Sequence, residues 1–403
     1  MTPRRAALAF IFVSIVLDIV AFGIVIPVLP KLIESFVDFD AARAAQWVGL
    51  FGTVWALMQF CCAPLLGALS DRFGRRPVLL LSISGLGLDY VFMALAPTLG
   101  WLFVGRIISG MTAAGFATAA AYIADVTEPE RRAAAFGLVG AAWGFGFVVG
   151  PALGGILGAA DPRLPFWVAG ALALVNAAYG FFVLPESLPP EKRAAFDLKR
   201  ANPLGSLRFL QANRQLFGLA GTSFLYNLGH TVFPSVFVIW ASYRYGWDAK
   251  AVGLSLAVVG IANILVQGGL VRPLVRRVGA RRAMAIGAAA GTLGFALYGI
   301  AAAVPLFWLA IFVYAPAGVF NPSLMGAMSK RVGPSEQGRL QGATSSLMGV
   351  AGMLGPGLFT LSFAWAIRPG GIVHLPGLPF LIAAALFAAA GLLAMRSTTP
   401  ESD

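Results

Sequence analysis

Twelve apolar stretches follow one another along this chain, separated by short polar turns. Each is long enough to cross a bilayer as a helix, which takes about 20 residues at ~1.5 Å rise to span ~30 Å of hydrocarbon. They cover residues 6–29, 46–69, 77–96, 99–122, 135–158, 165–184, 214–240, 250–271, 282–303, 305–328, 338–366 and 376–395. The pattern predicts an all-α integral membrane protein whose twelve transmembrane helices are spans 1 to 12. Only 11% of the 403 residues are charged, against about 25% in soluble domains. The first stretch follows Arg4 and Arg5, as a signal peptide would. It is too long for a signal core and has no small-x-small cleavage site before Pro27 and Pro30, so it reads as span 1.

A net charge of +12 could serve nucleic-acid binding if it were clustered on one face. Here the arginines lie in the turns, where they set topology. With Met1 inside, the inner segments hold 22 Lys and Arg, among them Arg131, Lys199, Arg200, Arg208, Arg276 and Arg277. The outer segments hold six: Lys31, Arg43, Arg163, Arg244, Lys250 and Arg368. The bias predicts that both termini are cytoplasmic. The two cysteines, Cys61 and Cys62, are adjacent and offer neither a disulfide framework nor metal-ligand spacing.

The turn after span 2, residues 67–76, reads GALSDRFGRR. It sets Asp71, Arg72, Arg75 and Arg76 among the turn-permissive Gly67 and Gly74, and reads as a tight loop at the membrane surface. Asp125 should end span 4 on the same face, where Arg72, Arg75 and Arg76 can bridge it to Asp71. Such a cluster could latch one conformation and open in another. As plain solvated charge, each pair would contribute only ~0–1 kcal/mol.

The longest polar interval, 185–213, divides six spans from six. It predicts an N-terminal half at 1–184, a cytoplasmic linker at 185–213 and a C-terminal half at 214–403. The halves are related by an internal repeat. Pro129 and Gly137 recur as Pro334 and Gly342, and Gly150-Pro151 as Gly355-Pro356, all 205 residues on. Gly74 recurs as Gly279 at the same offset, and Val48-Gly49-Leu50 as Val252-Gly253-Leu254 at 204. Two parallel six-helix repeats are the architecture of many transporters.

Charge inside hydrocarbon costs about 2.5–3.5 kcal/mol on insertion scales, so ionisable groups within spans are the functional candidates. Three stand out: Asp18 near the middle of span 1, Asp89 past the middle of span 3, and Arg106 in span 4. Burial disfavours the charged carboxylate, so such an acid can take up and release protons near neutral pH. The plainer alternative is structural, with Arg106 neutralising one of the acids. Arg106 could also bind an anionic substrate. Spans 7–12 hold no acid, only His230, amides and hydroxyls such as Tyr226, Asn227, Asn263 and Gln341.

Span 5 contains GFVVGPALGG at 146–155. Gly146, Gly150 and Gly154 recur every four residues and share one helix face, where another backbone can come close. Pro151 removes a backbone hydrogen bond and bends the helix, and Gly155 closes the motif. Simple helix packing would account for the stripe alone.

Together these segments resemble the major facilitator superfamily, and within it the twelve-span drug/proton antiporters. GALSDRFGRRPVLL is similar to the superfamily's loop between spans 2 and 3, GRIISG around Arg106 to its span 4 motif, and GFGFVVGPALGG to its antiporter motif. LDIVAFGIVIPVLP resembles its span 1 motif. Residues 55–97 look most like the tetracycline efflux family. The resemblance implies proton-driven export of a tetracycline–divalent metal chelate across the bacterial inner membrane, by a monomer with no cofactor beyond the Mg2+ of the chelate. It also implies that Asp18 and Asp89 match intramembrane family acids, that Asp71 and Arg75 belong to a gating loop, and that Gln59 lines the path. One departure stands out: the tetracycline exporters carry a third acid in span 9, and Gly291 occupies about its place here.

The expected function is therefore a proton/drug antiporter working by alternating access, its 31 Phe and 10 Met supplying a loose apolar pocket. A proton-coupled transporter of another small solute on the same fold is the alternative. No HExxH, GxSxG or Walker-type loop marks an enzyme. A channel or scaffold would need neither the two-half repeat nor a latch.

Overall fold

The computed structural model describes residues 3–113, 115–128, 132–193, 210, 214–333, 336–371 and 374–398. Pro129, Arg131, Lys199, Arg200, Arg208, Pro334 and most of the predicted linker lie outside the described residues. Among the described residues there is no strand.

All twelve predicted spans are helical. Span 1 is Pro3–Val25, followed by the short helix Leu29–Ser35. Spans 2 and 3 are Ala41–Phe73 and Arg75–Leu95. Span 4 is Leu99–Thr112 continued by Gly115–Val126, span 5 is Arg132–Ala160, and span 6 is Leu164–Val183. Span 7 is Arg214–His230 continued by Val232–Tyr245. Spans 8 and 9 form a single helical run, and span 10 comprises Val304–Tyr314, Ala315–Val319 and Phe320–Ser329. Spans 11 and 12 are Gln337–Ala366 and Leu378–Ser397.

Among the described residues, ten helical runs are individually long and apolar enough to cross a membrane. Two local features reconcile ten with twelve. In span 4 the helix Leu99–Thr112 is by itself too short to count. The run Ala249–Ile300 has 52 residues, ~78 Å at ~1.5 Å per residue and more than twice the hydrocarbon thickness. Gly279, at φ 78° and ψ 165°, interrupts it and separates span 8 from span 9.

Gly74 has the same kind of backbone, φ 105° and ψ 158°, between spans 2 and 3. The repeat thus reproduces its break, 205 residues apart. This corrects the reading of 67–76 as a loop. Span 2 stays helical through Gly67, Asp71 and Arg72 to Phe73, span 3 starts at Arg75, and Gly74 alone lies between. One residue with positive φ turns the chain, so no longer loop is needed. A Cβ at Gly67 would meet nothing within 4 Å, whereas at Gly74 it would strike the Glu186 carboxylate. Gly67→Ala is therefore expected to be neutral or to stabilise by up to ~1 kcal/mol. Gly74→Ala should cost ~2 kcal/mol or more, from the left-handed backbone and the clash together. Thermal unfolding midpoints of the two purified variants check this.

The described chain forms two compact units. Unit 1 comprises Met1–Phe36, Val54–Asn202 and Asp248–Gly260, and unit 2 comprises Val37–Thr53, Pro203–Trp247 and Ile261–Asp403. Val37–Thr53, at the start of span 2, groups with unit 2, and Asp248–Gly260, at the start of span 8, with unit 1. In unit 1, span 1 packs on spans 5 and 6, and span 3 on spans 4 and 6. Unit 2 repeats these pairings six spans on: span 7 on 11 and 12, and span 9 on 10 and 12.

The two segments at the starts of spans 2 and 8 repeat one contact. A Cβ on Gly253 would collide with the Pro151 carbonyl in unit 1, and one on Gly49 would lie 3.2 Å from the Pro356 carbonyl in unit 2. The cores differ in chemistry. Unit 1 buries an aliphatic cluster around Ile11, Ile15, Ile19 and Ile123. Unit 2 interlocks rings, with Trp240–Phe380 and Phe295–Tyr314 centroids both 4.7 Å apart, pairs that each add ~0.5–1.5 kcal/mol beyond area burial.

Candidate functional site

Both intramembrane acids belong to unit 1, in unlike surroundings. Asp18 is half-buried on span 1 and held by an amide on span 6. Asn176 Nδ2 donates to Asp18 Oδ1 at 2.9 Å and to the Ser14 carbonyl at 3.0 Å, and Ser14 Oγ donates to Asn176 Oδ1 at 2.7 Å. Neither Ser14 nor Asn176 was singled out from sequence. The available signal was the lone amide in LPFWVAGALALVNAAYGFFV, which hydrocarbon tolerates only with partners.

Asp89 is 2% exposed. Neither of its carboxyl oxygens has a hydrogen-bond partner. It packs against span 4 where that helix is slimmest, since a Cβ on Gly105 would lie 3.2 Å from Asp89 Oδ1. The next residue, Arg106, is 9% exposed. Its guanidinium carbon sits 5.4 Å from the centroid of the Trp55 ring on span 2, and its Nε has no hydrogen-bond acceptor. Among the described residues no ion pair joins Arg106 to Asp18 or Asp89. The arginine is held by the ring face, a contact that reaches ~2 kcal/mol when desolvated.

Trp55 connects these groups to an aromatic wall. Phe22, one turn from Asp18, stacks on Trp55 at 5.9 Å and meets Phe147 edge-on at 6.5 Å. Phe147 stacks on Trp143 at 5.5 Å. Gln59 lies one turn beyond Trp55, half-buried on the same helix. Spans 1, 2 and 5 thus contribute rings, span 4 contributes Arg106, and spans 1 and 3 contribute acids, a set able to hold a flat amphiphile beside a dissociable proton.

At the Gly74 end of the same unit, the polar cluster is built mainly on Arg75. Its guanidinium donates to Asp71 Oδ1, to Ser70 Oγ at 2.7 Å and to Asp125 Oδ2 at 3.1 Å. Two expected bridges are not formed. Arg76 donates instead to the Phe181 carbonyl at 2.6 Å, and Arg72 stacks on the Phe73 ring. Arg72 precedes the Gly74 turn on the exposed side of span 2, which carries it away from Asp125.

Glu186, which follows span 6, completes the cluster. Its two oxygens accept from the backbone N–H groups of Arg75 and Arg76 at 2.9 and 3.3 Å. A carboxylate here satisfies free N–H groups and the positive end of the span 3 dipole, a ~0.3–1 kcal/mol effect. Ser187 Oγ donates to Asp125 Oδ2 at 3.2 Å. Glu186 sits amid prolines in VLPESLPPEKR, and only the fold reveals its partners.

The span 5 stripe faces span 1 as one surface. Added Cβ atoms at Gly146, Gly150 and Gly154 would meet Ile19, Gly23 and Ile24 respectively, while one on Gly155 would lie 3.0 Å from Gly253 Cα on span 8. Pro151 lies inside the helix, beside Gly23.

In unit 2, the place of the missing acid is filled. A Cβ on Gly291 would collide with the Phe387 ring, with Cε1 at 2.5 Å. Phe387 lies 5.1 Å from the Tyr226 ring, which stacks on Phe320 at 5.0 Å. The glycine admits a ring from span 12 where a side chain on span 9 would have projected. Asn227 donates within its own helix, to the Ser223 carbonyl.

Comparison with known proteins agrees with this architecture. Residues 11–356 match the family described as Major Facilitator Superfamily. The chain is 39% identical to the tetracycline resistance protein, class C, of Escherichia coli over 94% of each chain. It is 36% identical to the class G protein of Vibrio anguillarum over 91% of this chain and 94% of that one. Among solved structures it is similar to the human organic anion transporter MFSD10, with 25% identity, TM-score 0.72, and 98% and 100% of the two chains covered. It also shares the fold of the nucleoside transporter NupG, with 16% identity, TM-score 0.79 and the same coverage. Twelve helical spans paired in two matching sets, with two intramembrane acids and a span 5 glycine stripe in the first, and the family match over residues 11–356 place this chain in the Major Facilitator Superfamily, as a membrane transporter related to the tetracycline resistance proteins.

Proposed function

We propose that this transporter exports tetracycline-like or other amphiphilic drugs in exchange for protons, by alternating access, with Asp89 as the proton carrier. The observation that carries the reading is the Asp89 carboxyl, buried with neither oxygen partnered. An ionised carboxylate left so costs several kcal/mol, and binding a proton removes most of that cost. Asp18, by contrast, already accepts from Asn176 and is suited to hold span 1 in place or to contact substrate. In the exchange, a cationic or chelated drug against the Arg106–Trp55–Phe22 wall favours the charged acid, and the proton leaves. Release of the drug on the far side favours proton return.

The Arg75–Asp71–Asp125 cluster, with Glu186, holds one conformation and opens in the other. Both termini are cytoplasmic, the membrane is the bacterial inner membrane, and the working unit is a monomer. Magnesium arrives within the drug chelate rather than at a resident site.

A second reading, proton-coupled transport of an organic anion, draws on Arg106, whose Nε lacks an acceptor. One assay separates the two. Acid-loaded proteoliposomes receive tetracycline with magnesium or, separately, an amphiphilic organic anion. Proton release on tetracycline addition supports the drug reading. Release only on addition of the anion supports the second. Silence with both, from folded and inserted protein, rejects both.

A further inference from the structure

We propose that the Gly279 end of unit 2 binds the headgroup of an anionic phospholipid. The inference rests on the proposed orientation only for naming the leaflet, which would be the cytoplasmic one.

The repeat makes the case, because it reverses charge at this turn. At the 205-residue offset that joins Gly74 to Gly279, Asp71 corresponds to Arg276 and Asp125 to Lys330. In unit 1 the acids are present and neutralise Arg75. In unit 2 they have become cations. Residues 271–339 contain eight Lys and Arg and a single acid, Glu336.

The arginines are also arranged for an external anion. After the end of span 8, Val271, Leu274, Val275 and Val278 turn inward and pack around Val266, Ala283 and Val319. Arg272, Arg276 and Arg277 occupy the opposite, exposed face and make no hydrogen bond or ion pair among the described residues. A helix segment with one apolar and one arginine face is built for the membrane–water interface. Past Gly279, Arg281 donates to the Met395 carbonyl at 3.3 Å, and Arg331 to the Ser397 carbonyl at 3.5 Å. Arg331 also donates to the Ala327 carbonyl at 2.8 Å, so both of its acceptors are neutral. Topology alone requires cations on this side but not an amphipathic placement. Clusters of four to eight cations next to a span, each contributing ~1 kcal/mol near an anionic surface, recognise acidic lipid.

The test uses the full chain in nanodiscs of phosphatidylcholine mixed with phosphatidylglycerol in both leaflets, so that orientation and transport do not enter. Lipid retained after detergent extraction is read by native mass spectrometry. Wild type is expected to retain phosphatidylglycerol in preference to phosphatidylcholine. The triple variant Arg272→Gln, Arg276→Gln, Arg277→Gln should lose that preference, while Arg43→Gln, at an exposed residue of unit 2 in the first turn of span 2, should keep it. If the triple variant does not fold, Arg277→Gln alone should still lower the preference. An unchanged preference in the folded variants, or none in wild type, overturns the proposal. So does displacement of the lipid by soluble pyrophosphate at equal concentration, which would reassign the site to a free phosphate ligand.

Discussion

Asp89→Asn is expected to abolish drug-driven proton release, lowering it at least about tenfold, ~1.4 kcal/mol in rate terms, while the protein stays folded. The amide matches the acid in size but cannot take up and release the proton. Asp89 has no hydrogen bond to lose, so the unfolding midpoint should move by less than the equivalent of ~1 kcal/mol. Asp18→Asn is expected to behave differently. Its side-chain oxygen can still accept from Asn176 Nδ2, so proton release should survive, with substrate affinity altered. The two variants in the same proteoliposome assay separate the roles. Full release with Asp89→Asn and none with Asp18→Asn would transfer the proton to span 1 and sink the assignment.

Gly154→Val should be the most destabilising single change along span 5. A Cβ there would strike the Ile24 carbonyl oxygen and lie 2.9 Å from Ile24 Cα. At Gly150 it would lie 2.6 Å from Gly23 Cα. Overpacking a core typically costs ~1–3 kcal/mol when side chains can yield. Here the obstacles are backbone atoms of span 1, so ~3 kcal/mol or more is expected. The same helix supplies its control. Cβ atoms at Gly137 and Gly140 would meet nothing within 4 Å, so Gly137→Ala and Gly140→Ala should leave stability within ~1 kcal/mol of wild type. Thermal midpoints and monodispersity in detergent read both outcomes. A Gly154→Val protein as stable as wild type would mean that spans 1 and 5 are free to separate.

Much of this was legible in the residues because hydrocarbon imposes period-independent rules. A run of about 20 apolar residues is a span whatever surrounds it, so all twelve were found, and the 205-residue repeat anticipated the matched helix pairings. Asp18, Asp89 and Arg106 stood out for the same reason: charge inside a span is too costly to be incidental. The span 5 stripe was readable because four-residue spacing places Gly146, Gly150 and Gly154 on one face.

Residue order therefore yields one-dimensional facts: which segments cross, where charge lies within a span, and that one half echoes the other. The tertiary structure decided the partners. It gave Asp18 the amide of Asn176, 158 residues away, and gave Asp89 none. It set Arg106 on Trp55 rather than on an acid, and brought Glu186 onto the start of span 3. It showed the supposed loop at 67–76 to be one glycine wide. It also put the Phe387 ring over Gly291, where composition showed only a missing acid. The physical reason is common to all of these. Transfer into hydrocarbon is a property of a segment and can be summed along the chain, whereas a hydrogen bond, a ring contact or a backbone approach depends on two residues meeting, and which residues meet is set only when the helices pack.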